Sequence, residues 1–163
     1  MASWRNASIN DIDGIALVSN EIHTDLPESK DVFAERIRLF PQGCMVLVDG
    51  QKVCGYTISH PIRSGQPPTL DTLLGAIDAN ADAYYIHDVA VSKRLRGQGH
   101  AAECVDRLLK VARQFPETCL ISVYGTTSFW ARFGFVPGPV GPALSEKLRG
   151  YGVDAKYLCR RNE

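Results

Sequence analysis

The feature that most constrains the fold is a change of hydrophobic period within one short stretch. Ala83 to Val91 has the make-up of a strand, and Gly97 to Phe115 carries Ala101, Val105, Leu108, Leu109 and Ala112 on one helical stripe. Between them lies Ser92-Lys93-Arg94-Leu95-Arg96, followed by Gly97-Gln98-Gly99-His100-Ala101. A strand passing through a glycine turn into an amphipathic helix needs a sheet beneath that helix. The same junction is built like an anion site, because a helix start leaves its first amides unpaired and partly positive, and glycines let a phosphate approach the backbone. Arg94 and Arg96 add formal charge beside it.

The remaining segments fall in an order that supports such a sheet. Ser3 to Ile9 reads as a strand, Asn10 to His23 as a helix, and Ser29 to Phe40 as a second helix stopped by Pro41-Gln42-Gly43. Asp25-Leu26-Pro27-Glu28-Ser29 breaks the pattern between the two helices. Cys44 to Val48 and Lys52 to Ser59 flank Asp49-Gly50, the strongest short-range hairpin signal. A loop at 63–68 leads to Leu70–Ile77, read as one or two helical turns. Cys119 to Val123 is a strand, Thr126 to Arg132 a short helix, and Phe135 to Val140 and Ala155 to Cys159 are closing strands. The sum is an α/β or α+β sheet covered by helices, in a single domain over residues 1–163.

Composition narrows the function. Lys plus Arg and Asp plus Glu are 18 each, so the chain lacks the basic excess of a nucleic-acid binder. No apolar run approaches the roughly 20 residues of a membrane helix, and Met1 to Asn6 has neither the basic start nor the apolar core of a secretory signal. The expectation is a cytoplasmic or nuclear protein with no membrane or nucleic-acid partner. The 5 cysteines are widely spaced without a Cys-x-x-Cys pair and read as reduced core residues, and no metal site is expected.

Neither the three-glycine dinucleotide fingerprint nor the P-loop fits the glycine turn. Arg96-Gly97-Gln98-Gly99-His100-Ala101 does match the Arg/Gln-x-x-Gly-x-Gly/Ala signature of the Gcn5-related N-acetyltransferase (GNAT) superfamily, and Arg94, Gly97 and Gly99 fit it in a second register. Ser128-Phe129-Trp130-Ala131-Arg132-Phe133-Gly134-Phe135 resembles the aromatic-x-x-x-Gly-Phe segment of that family. The element order is similar over almost the whole chain. Within the superfamily, Ile86-His87-Asp88-Val89-Ala90-Val91 is most similar to the arylalkylamine-type enzymes.

The resemblance implies a mixed, mostly antiparallel twisted sheet of about seven strands flanked by about four helices. It further implies acetyl-coenzyme A as cosubstrate, with pantetheine along Val89, Ala90 and Val91. The pyrophosphate would lie on the amides of Gly97, Gln98, Gly99, His100 and Ala101, beside Arg94 and Arg96. His87 is the expected general base, since an ammonium substrate must lose a proton before it attacks. Strand alternation puts Tyr85, His87 and Val89 on one face, with Ile86, Asp88 and Ala90 on the other. Asp88 is the second choice for the base, and the remaining histidines, His23, His60 and His100, read as solvated or capping.

Trp130 stands in the cofactor wall where most of the family has the tyrosine that protonates the departing thiolate, and indole cannot do so. Tyr124 is the alternative acid. Asp25, Glu28 and Tyr85 are candidates for amine recognition. The expected reaction is direct attack of a primary amine, first a small molecule and second a protein N-terminus or lysine, by a monomer or homodimer. A non-catalytic acyl-coenzyme A sensor and a nucleotide-binding module stay open as alternatives.

Overall fold

The computed structural model describes residues Met1–Glu163. In chain order the elements are β1 (Ala2–Asn6), α1 (Ile12–Ile22), α2 (Lys30–Leu39), β2 (Met45–Asp49), β3 (Lys52–Ile62), β4 (Ala83–Val91) and α3 (His100–Ala112). There follow β5 (Glu117–Ser122), α4 (Thr127–Ala131), β6 (Val136–Pro137), α5 (Pro142–Arg149) and β7 (Lys156–Arg161). The strands form one sheet in the order β1-β2-β3-β4-β5-β7-β6, antiparallel except at β4–β5. The expected seven-stranded mixed sheet is therefore present, with five α-helices. None of them is long and apolar enough to cross a membrane.

Two helical layers bury the two faces. The inner stripe of α3, Cys104, Val105, Leu108 and Ala112, joins Trp4, Leu47, Tyr84, Ile86, Val91, Leu120 and Trp130 in one core. On the other face Ile15, Val18, Phe33 and Ile37 of α1 and α2 pack on Val46, Tyr56, Ile58 and Ala90. A third cluster, with Tyr85, Cys119, Tyr151 and Tyr157, is covered by Leu144 of α5. The hairpin turn falls at Asp49-Gly50 as the sequence indicates, with Gly50 at φ +63°.

Three local expectations fail. Leu70–Ile77 contains no helix, because α2 holds that backbone irregular: Glu35 accepts hydrogen bonds from the amides of Leu74 (2.6 Å) and Gly75 (2.9 Å), and Arg36 donates to the Thr72 carbonyl. The strand expected over Phe135–Val140 shrinks to Val136–Pro137, and α5 lies beyond it, with Pro142 in its first turn and Gly150 at its end.

The third difference concerns β4. Ile58 pairs with Asp88 but Ser59 pairs with Ile86, so His87 is an extra residue in a β-bulge. Alternation breaks there. Tyr84, Ile86 and Val91 lie in the α3-side core with Val89 packed on it, whereas Asp88 and Ala90 meet partners on the α1–α2 side and Tyr85 lies in the cluster under α5. The bulge thus turns His87 and Asp88 to the same side, against the strict alternation expected from sequence.

Where α2 runs into β2, backbones approach closely. A Cβ on Gly43 would lie 2.2 Å from the Ser59 carbonyl oxygen, and the Ser59 hydroxyl donates to the Gly43 carbonyl at 2.8 Å. Gly43→Ala is expected to cost about 1–3 kcal/mol through overpacking, seen as a lower urea midpoint with an unchanged slope. An unaltered midpoint would show that this junction has slack.

Candidate active site

β4 and β5 are hydrogen-bonded only from Tyr84, Tyr85 and Ile86 to Thr118, Cys119 and Leu120. Beyond Ile86 the strands part, and Asp88 to Val91 keep β3 on one edge while the other faces a cleft of about 650 Å³. One end of this cleft is the glycine turn. Gly97 (φ +80°) and Gly99 (φ +83°) occupy the left-handed region, Gly99 caps α3, and the amides of Gly97, Gln98 and Gly99 make no hydrogen bond within the chain. Arg96, Gly97, Gly99, His100 and Ala101 line this end, while Val89, Ala90 and Val91 line the strand side.

Trp130 closes the far wall, packed edge-to-face on Phe129 and Phe135 with ring centroids at 5.1 and 5.6 Å. Arg94 turns away from the cleft. Its guanidinium lies 2.8 Å from the Cys54 sulfur and 3.8 Å from Asp49, so of the two candidate arginines Arg96 is the one in the wall.

The other end of the cleft carries two imidazole–carboxylate pairs that cross between β4 and the α1–α2 link. His87 Nε2 lies 2.6 Å from Glu28 Oε1, with side-chain exposures of 2% and 5%. Since a carboxylate only accepts, Nε2 donates in this contact, and the buried Nδ1 meets no hydrogen-bond partner in the protein. Glu28 also accepts from the Asp71 amide at 3.1 Å. Asp88, the neighbour of His87, pairs in the reverse sense with His23 at the end of α1, whose Nε2 is 2.8 Å from Oδ2. Tyr56 donates to the same carboxylate at 2.5 Å.

His23 Nδ1 is 3.0 Å from the hydroxyl of Tyr124, and the two rings stack at 5.6 Å. Tyr124 follows β5 at φ +57°, with Gly125 at +70°. A tyrosine in the left-handed region is uncommon, and here that turn folds the phenol back over the cleft mouth.

Electrostatics separates these groups. Burial opposes charge on His23, but Asp88 and Glu28 outweigh it and raise the imidazole above its ordinary value. Burial likewise works against the Asp88 charge, which His23, Tyr56 and His87 restore, leaving the carboxyl below its ordinary value. Partial burial, with Asp88 and Asp25 nearby, raises the Tyr124 phenol and keeps it protonated.

The sequence-derived candidates are thus partly brought together. His87, Tyr124, Trp130 and the turn residues Arg96, Gly97, Gly99, His100 and Ala101 share one cleft, Gln98 and Arg94 lie outside its lining, and Glu28 reaches it through His87. Tyr85 does not line it: the ring is fully buried beneath His60 and Tyr151. Asp25 is exposed and outside the wall. His60 is a core histidine, its pKa pushed down to about 3 by burial, and His23 is buried rather than solvated. His23 was missed because its partners lie 65 and 101 residues away along the chain.

The model of the acetyltransferase (GNAT) family matches residues 10–135, and the chain belongs to that family. No curated protein matches it. Similar solved structures include the loading GNATL domain of CurA from Lyngbya majuscula, at TM-score 0.80 and 15% identity, covering 99% of this chain and 98% of that one. N-acetylglutamate synthase from Neisseria gonorrhoeae, complexed with coenzyme A and N-acetyl-glutamate, matches at TM-score 0.75 and 19% identity over 100% of this chain and 35% of its own. Naa50 from Arabidopsis thaliana, in complex with a bisubstrate analogue CoA-Ac-MVNAL, matches at TM-score 0.67 and 13% identity over 98% and 97%.

The His23–Asp88 pair implies a pH signature. Asp88 has a folded-state pKa below 3.8, so its contribution is present above pH 3.8 and lost as pH falls through that lower value. His23 has a folded-state pKa above 6.5, so its contribution is complete below pH 6.5 and fades as pH rises through the folded value. Urea titrations should show stability declining above pH 6.5, with Asp88→Asn flattening that decline. An identical decline in the variant would mean that Asp88 does not hold the charge on His23.

Proposed function

We propose that this chain is an acetyl-coenzyme A-dependent N-acetyltransferase that moves the acetyl group to a primary amine, by direct attack in a ternary complex. The observation that carries this is the cleft between the diverging β4 and β5, with unengaged backbone amides at its glycine end and imidazoles at the other. The free edge of β4 suits the two amides of a pantetheine arm, as an added strand would. The amides at 97–101 and the Arg96 guanidinium suit a pyrophosphate. Coenzyme A in the Neisseria synthase and the bisubstrate analogue in Naa50 support the same cosubstrate.

The acceptor nitrogen reaches the thioester from the side of His87. Nε2–H held by Glu28 leaves Nδ1 to take the proton that the nitrogen sheds, in the manner of any carboxylate-oriented imidazole base. Tyr124, at the cleft mouth, gives its hydroxyl proton to the departing sulfur in place of the acid that Trp130 cannot be. Because His87 and Glu28 are almost wholly enclosed, the acceptor must present an unhindered primary amine, and a small amine fits best. Arylalkylamines are the first class to try.

Saturating acetyl-coenzyme A or coenzyme A should raise the thermal midpoint by about 5–11 °C, with no shift from NAD or ATP. Thiol release should then appear with a small primary amine, and His87→Ala should lower kcat by about 10²-fold or more with coenzyme binding unchanged. Equal stabilisation by all four ligands would favour a general nucleotide module. Binding of coenzyme A without turnover on any amine would favour an acyl-coenzyme A sensor.

A further inference from the structure

We propose that His23 and Asp88 form a proton relay behind Tyr124, in which His23 stores the proton that the departing thiolate receives through the Tyr124 hydroxyl. This rests on the acetyl-transfer reading above and assigns a device within that site.

The relay is continuous from solvent-facing phenol to buried carboxylate. Tyr124 is half exposed and lines the cleft, its hydroxyl is 3.0 Å from His23 Nδ1, and His23 Nε2 is 2.8 Å and 3.0 Å from the two oxygens of Asp88. Tyr56 donates to one Asp88 carboxylate oxygen at 2.5 Å, and Thr57 donates to the Asp88 backbone carbonyl at 2.8 Å. Asp88 faces His23 from β4, Glu28 from the α1–α2 link and Tyr124 from the end of β5, while His87 and Tyr56 act on Asp88 behind it. Two carboxylates against one neighbouring imidazole favour the protonated form of His23. Its position at the C-terminal end of α1, beside the partial negative charge of that helix, acts in the same sense.

Protonated His23 donates twice, from Nε2 to Asp88 and from Nδ1 to the Tyr124 oxygen, and this turns the phenol hydrogen toward the cleft. A lone phenol is a poor acid for this task. Its ordinary pKa of about 10 exceeds the roughly 8.5 of a thiol, so transfer to the thiolate would run uphill. An imidazolium behind the phenol removes that deficit. As the tetrahedral adduct collapses, the carbon–sulfur bond breaks and its electron pair goes to sulfur. Sulfur takes the Tyr124 hydroxyl proton, the phenol oxygen takes the Nδ1 proton, and His23 is left neutral. The proton shed by the amine sits on His87, and both imidazoles then exchange protons with water. Tyr124 is the catalytic acid in this scheme, and His23 and Asp88 are positioning residues that act through it.

The test compares acetyl transfer by the intact protein and by Tyr124→Phe, His23→Gln and the double variant from about pH 6 to about pH 10, with coenzyme A affinity measured alongside. In the wild type, kcat should fall on the alkaline side as His23 loses its proton. Each single variant should lower kcat by about 10²-fold, lose that limb and bind coenzyme A as before, and the double variant should be no slower than the slower single one. A His23→Gln enzyme that keeps the alkaline limb, or additive losses in the double variant, would overturn the relay while leaving the acetyl-transfer reading intact. Nitrogen-15 spectra of the imidazoles give a readout independent of turnover: His23 should titrate above 6.5 in the wild type and lower in Asp88→Asn. A His23 midpoint at or below 6.5 in the wild type would also overturn the relay.

Discussion

The β-bulge at His87 is the constraint on which the rest of this site depends. Without the extra residue, β4 would send His87 and Asp88 to opposite faces and could pair with only one of the two groups offered by the α1–α2 link. With it, both side chains meet that link, His87 to Glu28 and Asp88 to His23. The same stretch of β4 is where pairing with β5 ends, so the strand edge and the two imidazoles open into one cleft. A single irregularity in register thereby brings a free strand edge and two imidazole–carboxylate pairs to one cleft.

The crossed arrangement also explains how so many ionisable groups tolerate burial. An isolated charge in this environment would neutralise itself, whereas each carboxylate here has an imidazole and at least one further donor. Asp88 has Tyr56, and Glu28 has the amide of Asp71. The second contact ties the α1–α2 link to the 63–82 segment, which Glu35 and Arg36 fasten to α2. The imidazole end of the cleft is therefore braced by carboxylates that accept backbone hydrogens, not by regular secondary structure. Gly97 and Gly99 play the complementary part at the other end, where their positive φ angles expose amides that a helix interior would consume.

Features encoded by neighbours in the chain were legible in the sequence. The Asp49-Gly50 hairpin, the α3 stripe and the glycine turn each depend on a few adjacent residues and appear where their patterns indicate. What escaped depends on contacts distant in sequence. The apolar spacing over Leu70–Ile77 suits a helix, but hydrogen bonds from α2 hold that backbone in another shape. The bulge is a property of register between two strands, and no single strand encodes it. His23 looked like an ordinary helix end until β4 and Tyr124 came alongside. Only α5 left an unused local signal, with Pro142 at its start and Gly150 at its end.

The measurement that tests the central claim most directly is a crystal structure with a non-hydrolysable acetyl-coenzyme A analogue. The expected result has the pyrophosphate on the amides of Gly97 to Ala101, the pantetheine paired with the edge of β4 from Val89 to Val91, and the sulfur position within hydrogen-bond distance of the Tyr124 hydroxyl. An analogue seated outside the cleft between β4 and β5, or one whose sulfur points away from Tyr124, would contradict it.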